Sequence, residues 1–326
     1  MATRIHTGLR LILATVAIGG TLDAAAQGGY PSRPIRLIVP FAPGAGTDAT
    51  ARLVARELGE RLHQTLVIDN RPGAGGTIGA GIAAKAEPDG HTIAIITPSH
   101  VINAGLYSNL PYDLVKDLTP ITQLTTQPNV MVINPVIPAT SVKEFIAYAK
   151  ERPGKVFYGS SGAGGLSHLA GALFGNLAGL HLVHVAFKGG ALATIQLIAG
   201  RTQMQLGSFL LNGPHIKAGR LRALAVTTSK RWSGKPDLPT MQEAGLPGFS
   251  ITQWYGLLAP ARTPTAIVKK LHDEVARSLN QPDVKKELAA SGAEVVASSP
   301  TEFGAHIRSE MDKYAKVAIS AGLARK

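Results

Sequence analysis

Ile35-Arg36-Leu37-Ile38-Val39-Pro40-Phe41-Ala42-Pro43-Gly44-Ala45-Gly46-Thr47-Asp48, running on to Leu62, holds the three parts of a strand–loop–helix unit in one stretch. Ile35 to Val39 is a short, largely β-branched and aliphatic run, as a buried strand requires. Pro40 to Thr47 is a Pro/Gly loop, and from Asp48 onward Ala51, Val54, Leu58 and Leu62 fall at helical spacing. Thr47 or Asp48 is a natural N-cap, because a short oxygen-bearing side chain accepts from the free amides of a first turn. The unit then repeats. Leu66 to Ile68 leads into Arg71-Pro72-Gly73-Ala74-Gly75-Gly76 and a helix from about Thr77 to Ala86. Thr92 to Ile96 leads into Thr97-Pro98-Ser99-His100 and a helical turn. Consecutive βα units predict a mostly parallel sheet with helices on both faces.

After Pro120 the pattern pauses and restarts. Val130 to Ile133 reads as a strand and Ser141 to Lys150 as a short helix capped by Thr140 or Ser141. Val156 to Tyr158 precedes the loop Ser160-Ser161-Gly162-Ala163-Gly164-Gly165 and a helix from Leu166 to Leu177. His184 to Ala186 precedes Phe187-Lys188-Gly189-Gly190 and a helix ending at Gly200, with strands at Gln203–Leu206 and Leu221–Val226. The chain closes with a strand at Ile251–Leu258 and helices at Thr265–Leu279, Pro282–Ala290 and Pro300–Ala318. That tail is expected to pack back on the first set, which makes two crossings, near Thr122–Gln127 and Phe249–Gln253. The expected architecture is α/β: two doubly wound lobes, residues 27–124 plus 250–326 and residues 125–249, joined by a two-strand hinge with a cleft between them. Three sequential domains, or one large sheet, are the competing arrangements.

Composition narrows the function classes. Arg4 and Arg10, a short apolar run from Leu11 to Leu22, and Ala24-Ala25-Ala26 have the layout of a secretory signal cleaved after Ala26. The apolar run is too short for a span, which needs about 20 residues. With 0 cysteines there is neither a lipid-modified Cys nor a disulfide, so a free, periplasmic monomer is expected. The net charge of +12 is scattered among acids and forms no basic stripe interleaved with aromatics, which argues against nucleic acid. Its consequence is a mild long-range attraction for anions.

In open parallel sheets ligands bind where strands end and loops enter helices. The loops there, 43–48, 72–77, 97–100, 160–165 and 187–190, carry Gly, Ser, Thr and Ala rather than acids and bases. Gly44 and Gly46 let backbone N–H groups face a ligand, and the helix opening at Asp48 adds its positive dipole end. Ser160, Ser161, Gly162 and Gly164 offer the same arrangement from the other half. Helix–strand packing alone can also demand such glycines. Charge-assisted bonds from these donors are worth about 1.5–3 kcal/mol each, which suits a carboxylate. Lys188 reads as an anion partner or an exposed side chain, and His168 as a structural hydrogen-bonding residue. Phe41, Leu166, Phe209 and Trp254 are the side chains expected to shape the pocket. There is no third glycine after Gly44-Ala45-Gly46 for a dinucleotide fingerprint, no Gly-Lys-Ser/Thr phosphate loop, no Gly-x-Ser-x-Gly elbow and no dense metal cluster. No cofactor, metal site or catalytic residue is expected.

Taken together, Pro31-Ser32-Arg33-Pro34 through Asp48, Asn70-Arg71-Pro72-Gly73-Ala74-Gly75-Gly76, Tyr158 to Gly162 with Ser167-His168-Leu169-Ala170-Gly171, Phe187-Lys188-Gly189, and Leu221 to Thr227 with Pro239-Thr240…Glu243-Ala244-Gly245 resemble the Bug family, solute receptors of tripartite tricarboxylate transporters. The resemblance spans nearly the whole chain in order. It implies a type II periplasmic-binding-protein fold closing on di- or tricarboxylates, amino acids or aromatic acids. It implies a carboxylate held by backbone amides of Ala45, Gly46, Thr47, Gly75 and Gly76, with hydroxyls of Thr97, Ser99 and Ser161. One departure stands out: the strand that usually ends in an acid at the pocket has Gly207 followed by Ser208. The implied partners are a small organic anion and membrane permease subunits, or a sensor protein. An enzyme acting on a small acid is the third reading.

Overall fold

In the computed structural model, which describes residues 29–44, 46–107 and 109–320, β1 (Ile35–Val39) pairs in parallel with both β2 (Leu66–Asn70) and β3 (Thr92–Ile96). The expected signal segment, residues 1–26, lies outside the described residues. Between β1 and β2 runs α1 (Gly46–Leu62), which starts two residues earlier than its apolar spacing shows; α2 (Thr77–Ala84) and α3 (Pro98–Leu106) follow β2 and β3. Along the far edge of β3, β9 (Thr252–Pro260) pairs antiparallel, Ile95 opposite Leu257.

The second set is built alike. β5 (Val156–Ser160) lies in parallel between β6 (Leu182–Ala186) and β7 (Met204–Ser208). Here α4 (Val142–Lys150) precedes β5, α5 (Leu166–Ala178) follows it, and α6 (Gly190–Ile198) follows β6. α7 (Phe209–Lys217) then leads to β8 (Arg222–Val226).

The two sets share one strand. β4 (Leu118–Ile133) pairs with β9 from Leu118 to Pro128, then with β7 and β8 from Asn129 to Ile133. The sequence reveals only its Val130–Ile133 end as strand, because Pro120 and Pro128 each remove a ladder donor. The structure accommodates them: the register shifts after Pro120, and Pro128 is the last residue paired with β9 before the partners change. Hydrogen bonding therefore runs unbroken in the order β2-β1-β3-β9-β4-β7-β5-β6, but the strands form two groups on either side of Pro128. The molecule is a two-lobed α/β protein.

The C-terminal helices cover the first group. α8 (Thr265–Leu279) packs on α1 and β4, and its Val268, Leu271, Val275 and Leu279 share one buried cluster with Ile35, Leu37, Val54 and Leu58, where burial of each large side chain is worth about 1.5–3 kcal/mol. α9 (Pro282–Ala290) leads to a two-residue β10 (Glu294–Val295) on β4, and α10 (Pro300–Ser320) seats Phe303, Ile307 and Tyr314 against α3 and β4.

Candidate ligand-binding cleft

The first loop is braced from behind. Asp48, 4% exposed, accepts from the Gly44 N–H at 3.0 Å and Arg52 Nε at 2.9 Å on one oxygen, and from Asn70 Nδ2 at 3.0 Å on the other. Asn70 Nδ2 also donates to the Phe41 carbonyl at 3.0 Å. Burial opposes the charge on Asp48, yet bonds from Arg52, Gly44 and Asn70 with the Arg52 charge outweigh it and hold its carboxyl below the usual range. Asp48 thus shapes the loop, while the opening amides of α1, lacking intrahelical partners, are its donors. Gly44, at φ +80, borders open space: a Cβ there would meet nothing within 4 Å. Ala45 lies outside the described residues. The Tyr255 hydroxyl lies against this turn, 2.8 Å from where a Cβ on Gly46 would stand.

The second and third loops interlock. Gly76 adopts φ +101, and a Cβ on it would stand 2.7 Å from His100 Nε2, so only glycine fits. Gly75 O accepts from Asn103 Nδ2 at 3.2 Å. Thr97, buried, caps α3 by accepting from the Ser99 N–H at 3.2 Å, and His100 completes the capping box. Phe41 stands edge-on to His100, ring centroids 6.1 Å apart. Burial pushes the His100 pKa down to about 4, against the bond of Nδ1 to the Thr97 backbone, so the ring is neutral.

Opposite them is the loop after β5. Ser160 Oγ lies 2.6 Å from His184 Nε2 and accepts from the Gly162 N–H at 3.2 Å. Ser161 N–H donates to Ser167 Oγ at 2.9 Å, and the two hydroxyls are 3.0 Å apart. His168 Nδ1 accepts from the Gly164 N–H at 3.2 Å, and its ring stacks on His184 at 3.8 Å between centroids. Burial, with His168 adding to it, lowers the His184 pKa to about 4.

The two sides touch. Ser99 Oγ accepts from the Leu166 N–H at 3.3 Å, joining the N-termini of α3 and α5. A Cβ on Gly164 would be 2.7 Å from Asn103 Oδ1, and one on Gly75 would be 3.5 Å from the Ala163 carbonyl. One on Gly46 would be 3.6 Å from Leu210 Cδ2 of α7. Gly46, Thr47, Gly75, Gly76 and Ser99 are thereby brought to one face, with Ser161, Gly164 and Leu166 opposing them.

Lys188 is exposed beside Gly189, another position bordering open space. At Gly207 a Cβ would lie 2.9 Å from Asn212 Nδ2 and 3.0 Å from Gln205 Nε2, so neutral amides occupy the surroundings of the usual acid. Ser208 caps α7, accepting from the Leu210 N–H at 3.2 Å, and Phe209 packs on Trp232 at 4.5 Å. Trp254 is a correction. Its indole, 1% exposed, donates to Glu310 Oε2 at 3.0 Å and packs on Phe303, so it belongs to the α10 interface and not to a pocket wall.

Asn103 and Tyr255 escape the sequence reading. Asn103 lies four residues after Ser99 on one helical face, a spacing that signals a shared polar stripe. Asn103 Oδ1 is buried without a hydrogen-bond partner among the described residues. A cavity of about 170 Å³ lined by Gln127, Thr252, Lys230, Trp232 and Glu294 borders the crossing strands. A roomier depression of about 480 Å³, with Arg56, Glu60 and His63, lies at the far end of α1 and shares none of the loops. Among the described residues no cluster of three or more His, Asp or Glu could hold a metal.

The family described as "Tripartite tricarboxylate transporter family receptor" matches residues 50–323. The chain belongs to that family. Protein BugT of Bordetella pertussis (strain Tohama I) is 34% identical over 322 residues, covering 98% of each chain, in agreement with the Bug motifs. Among solved structures, R. palustris Rpa4515 with adipate is 39% identical with a TM-score of 0.87, covering 90% of this chain and 99% of that one. MatC (Rpa3494) from Rhodopseudomonas palustris with bound malate is 32% identical with a TM-score of 0.83, covering 88% and 99%. As a tripartite tricarboxylate transporter receptor the chain is a solute-binding protein and not an enzyme.

Proposed function

We propose that this receptor captures a small dicarboxylate or related organic acid in the periplasm and presents it to a tripartite tricarboxylate-type permease. The observation that carries the reading is the opposition of the α1, α2 and α3 N-termini to the α5 N-terminus, bridged by Ser99 and Leu166. Helix N-termini and unpaired amides favour anions, at about 0.3–1 kcal/mol per dipole and up to ~2 when partly buried. Anion-favouring termini on both sides suit a ligand with a polar group at each end. Gly46, Thr47, Gly75 and Gly76 supply backbone donors and Ser99 and Ser161 hydroxyls, with Phe41 at the margin and Lys188 adding positive potential. Residues 27–124 with 250–326 form one lobe and 125–249 the other, closing about β4 and β9. The relatives solved with adipate and malate support this ligand class. A monomer released after cleavage at Ala26 is the form in which it works.

Gly207 refines the class. The nearest groups to a side chain at Gly207 are the neutral amides of Asn212 and Gln205, which cannot pair an ammonium as a carboxylate would, and an unpaired buried charge is costly. Ligands without an amine are preferred. Calorimetry of the purified protein with adipate, malate, aspartate and glutamate checks this: adipate or malate binds at least about tenfold more tightly than either amino acid, a gap of ~1.4 kcal/mol. Tighter binding of aspartate or glutamate overturns the amine-free class, and no binding by any organic acid in a thermal-shift panel overturns carboxylate capture.

A further inference from the structure

Beneath the first loop a phenol reaches out of a crossing strand. Tyr255 sits on β9 opposite Thr125 of β4, two residues from the Gln127–Gln253 pair, just before both strands change lobes. Its ring is 3% exposed, and its hydroxyl accepts from Gln127 Nε2 at 3.2 Å, with the Thr47 and Gln253 side chains favouring its ionised form. The same oxygen would be 2.8 Å from a Cβ on Gly46, so it lies directly against the opening turn of α1. Gln127 in turn lines the cavity of about 170 Å³ between the crossing strands, Lys230, Trp232 and Glu294, and is 3% exposed. A continuous run of buried polar contacts thus connects the hinge cavity, both crossing strands and the first ligand loop. Burial raises the Tyr255 pKa to about 12 against the Thr47, Gln127 and Gln253 side chains, so the phenol keeps its proton at physiological pH and remains a donor.

We infer that Tyr255 is a positioning residue which, through Gln127 and Thr47, sets the Gly46–Thr47 amides according to the register of the crossing strands, coupling anion binding to lobe movement. The inference rests on the reading that these amides hold the ligand. Rotation about β4 and β9 shifts Gln127 and Tyr255 relative to α1. The loop follows because the hydroxyl lies directly against Gly46, and buried Gln127 loses its hydrogen bond if the hydroxyl departs. Ligand held at the loop then favours one hinge register, as linkage requires.

Tyr255→Phe removes only the hydroxyl. In the ligand-free full chain, hydrogen exchange at amides 46–50 should accelerate about three- to tenfold, the range of one lost hydrogen bond, while α8 amides 265–279 stay unchanged. Thr47→Val should give a similar effect, and the double variant should be no worse than the stronger single one, since neighbours that act through one polar contact are not additive. Affinity for adipate, or for the tightest acid of the thermal-shift panel, should fall by a comparable factor. If Tyr255→Phe fails to fold, Gln127→Met carries the same exchange measurement. Unchanged exchange at 46–50, or strictly additive effects of the two substitutions, overturns the inference. If the wild type binds no organic acid, the proposed function fails, whereas the exchange cycle still decides the role of Tyr255.

Discussion

His184 illustrates what a single side chain does for the loop after β5. Its imidazole touches Ser160, whose hydroxyl engages the Gly162 backbone, and it stacks on His168, which accepts from Gly164. Both His184 and His100 of the facing lobe are held neutral, with pKa values lowered from 6.5 to about 4. In the unfolded chain imidazole protonates near its ordinary pKa of about 6.5. Between the two values the unfolded chain binds protons that the folded chain refuses. Stability is therefore complete above about pH 6.5 and is lost as pH falls towards 4, by up to about 1.4 kcal/mol per pH unit for each histidine. Asp48, with its lowered pKa, acts in the same direction at still lower pH. Melting temperature should be flat above pH 7 and decline between pH 6.5 and 4.5, and His184→Gln should flatten part of that slope. A variant with the wild-type slope would remove His184 from the account.

Helices and strands in this chain meet through small residues as much as through large ones. Gly256 of β9 lies under the Phe303 ring of α10, and a methyl group there would overlap the ring. Phe303 in turn packs edge-on against Trp254, centroids 5.7 Å apart. Gly256→Ala should therefore lift α10 from the strand at an overpacking cost of about 1–3 kcal/mol. Urea unfolding measures it, and Phe303→Leu in the same chain should recover part of the loss by vacating the overlapped space. An unaltered urea midpoint in Gly256→Ala would show that α10 yields freely. The caps differ in consequence: Ser141 stabilises only the exposed start of α4, whereas Thr97 also fixes His100 and so the shape of the second loop.

For the molecule as a whole, the shared strand decides what can move. Among the described residues β4 alone pairs in both groups of strands, with β9 beside it in the first group, and the loops that touch across the cleft include the Leu166–Ser99 bond. Bending at this crossing, as in hinge motions, would have to rearrange the apolar cluster that spans both groups, from Ile96 and Val101 to Tyr158 and Leu166. Small-angle scattering should show a smaller radius of gyration with the tightest acid bound than without it, at a mass equal to one chain. An identical radius in both states would mean that the cleft binds without closing, and a doubled mass that the working form is a dimer. The net charge of +12 assists approach of the anion but does not select among acids.

Periodicity and turn chemistry made most elements legible from the residues alone. Thr265–Leu279 and Pro282–Ala290 have the limits that their spacing and proline starts indicate, and the glycine-rich loops do lie between strands and helices. Two elements were hidden for local reasons: α7 contains Pro214, and the first part of β4 is flanked by Pro120 and Pro128. Within the cleft, the sequence itself determined that loops of glycine, serine and threonine join strands to helices, because these residues suit tight turns and helix starts. Only the tertiary structure decided that Asp48 turns inward, that Thr97 is spent on its own helix, that His168 meets His184, and that Tyr255 lies against Gly46. These outcomes depend on contacts between residues from 2 to more than 200 positions apart, and no local preference of the chain encodes the long-range ones.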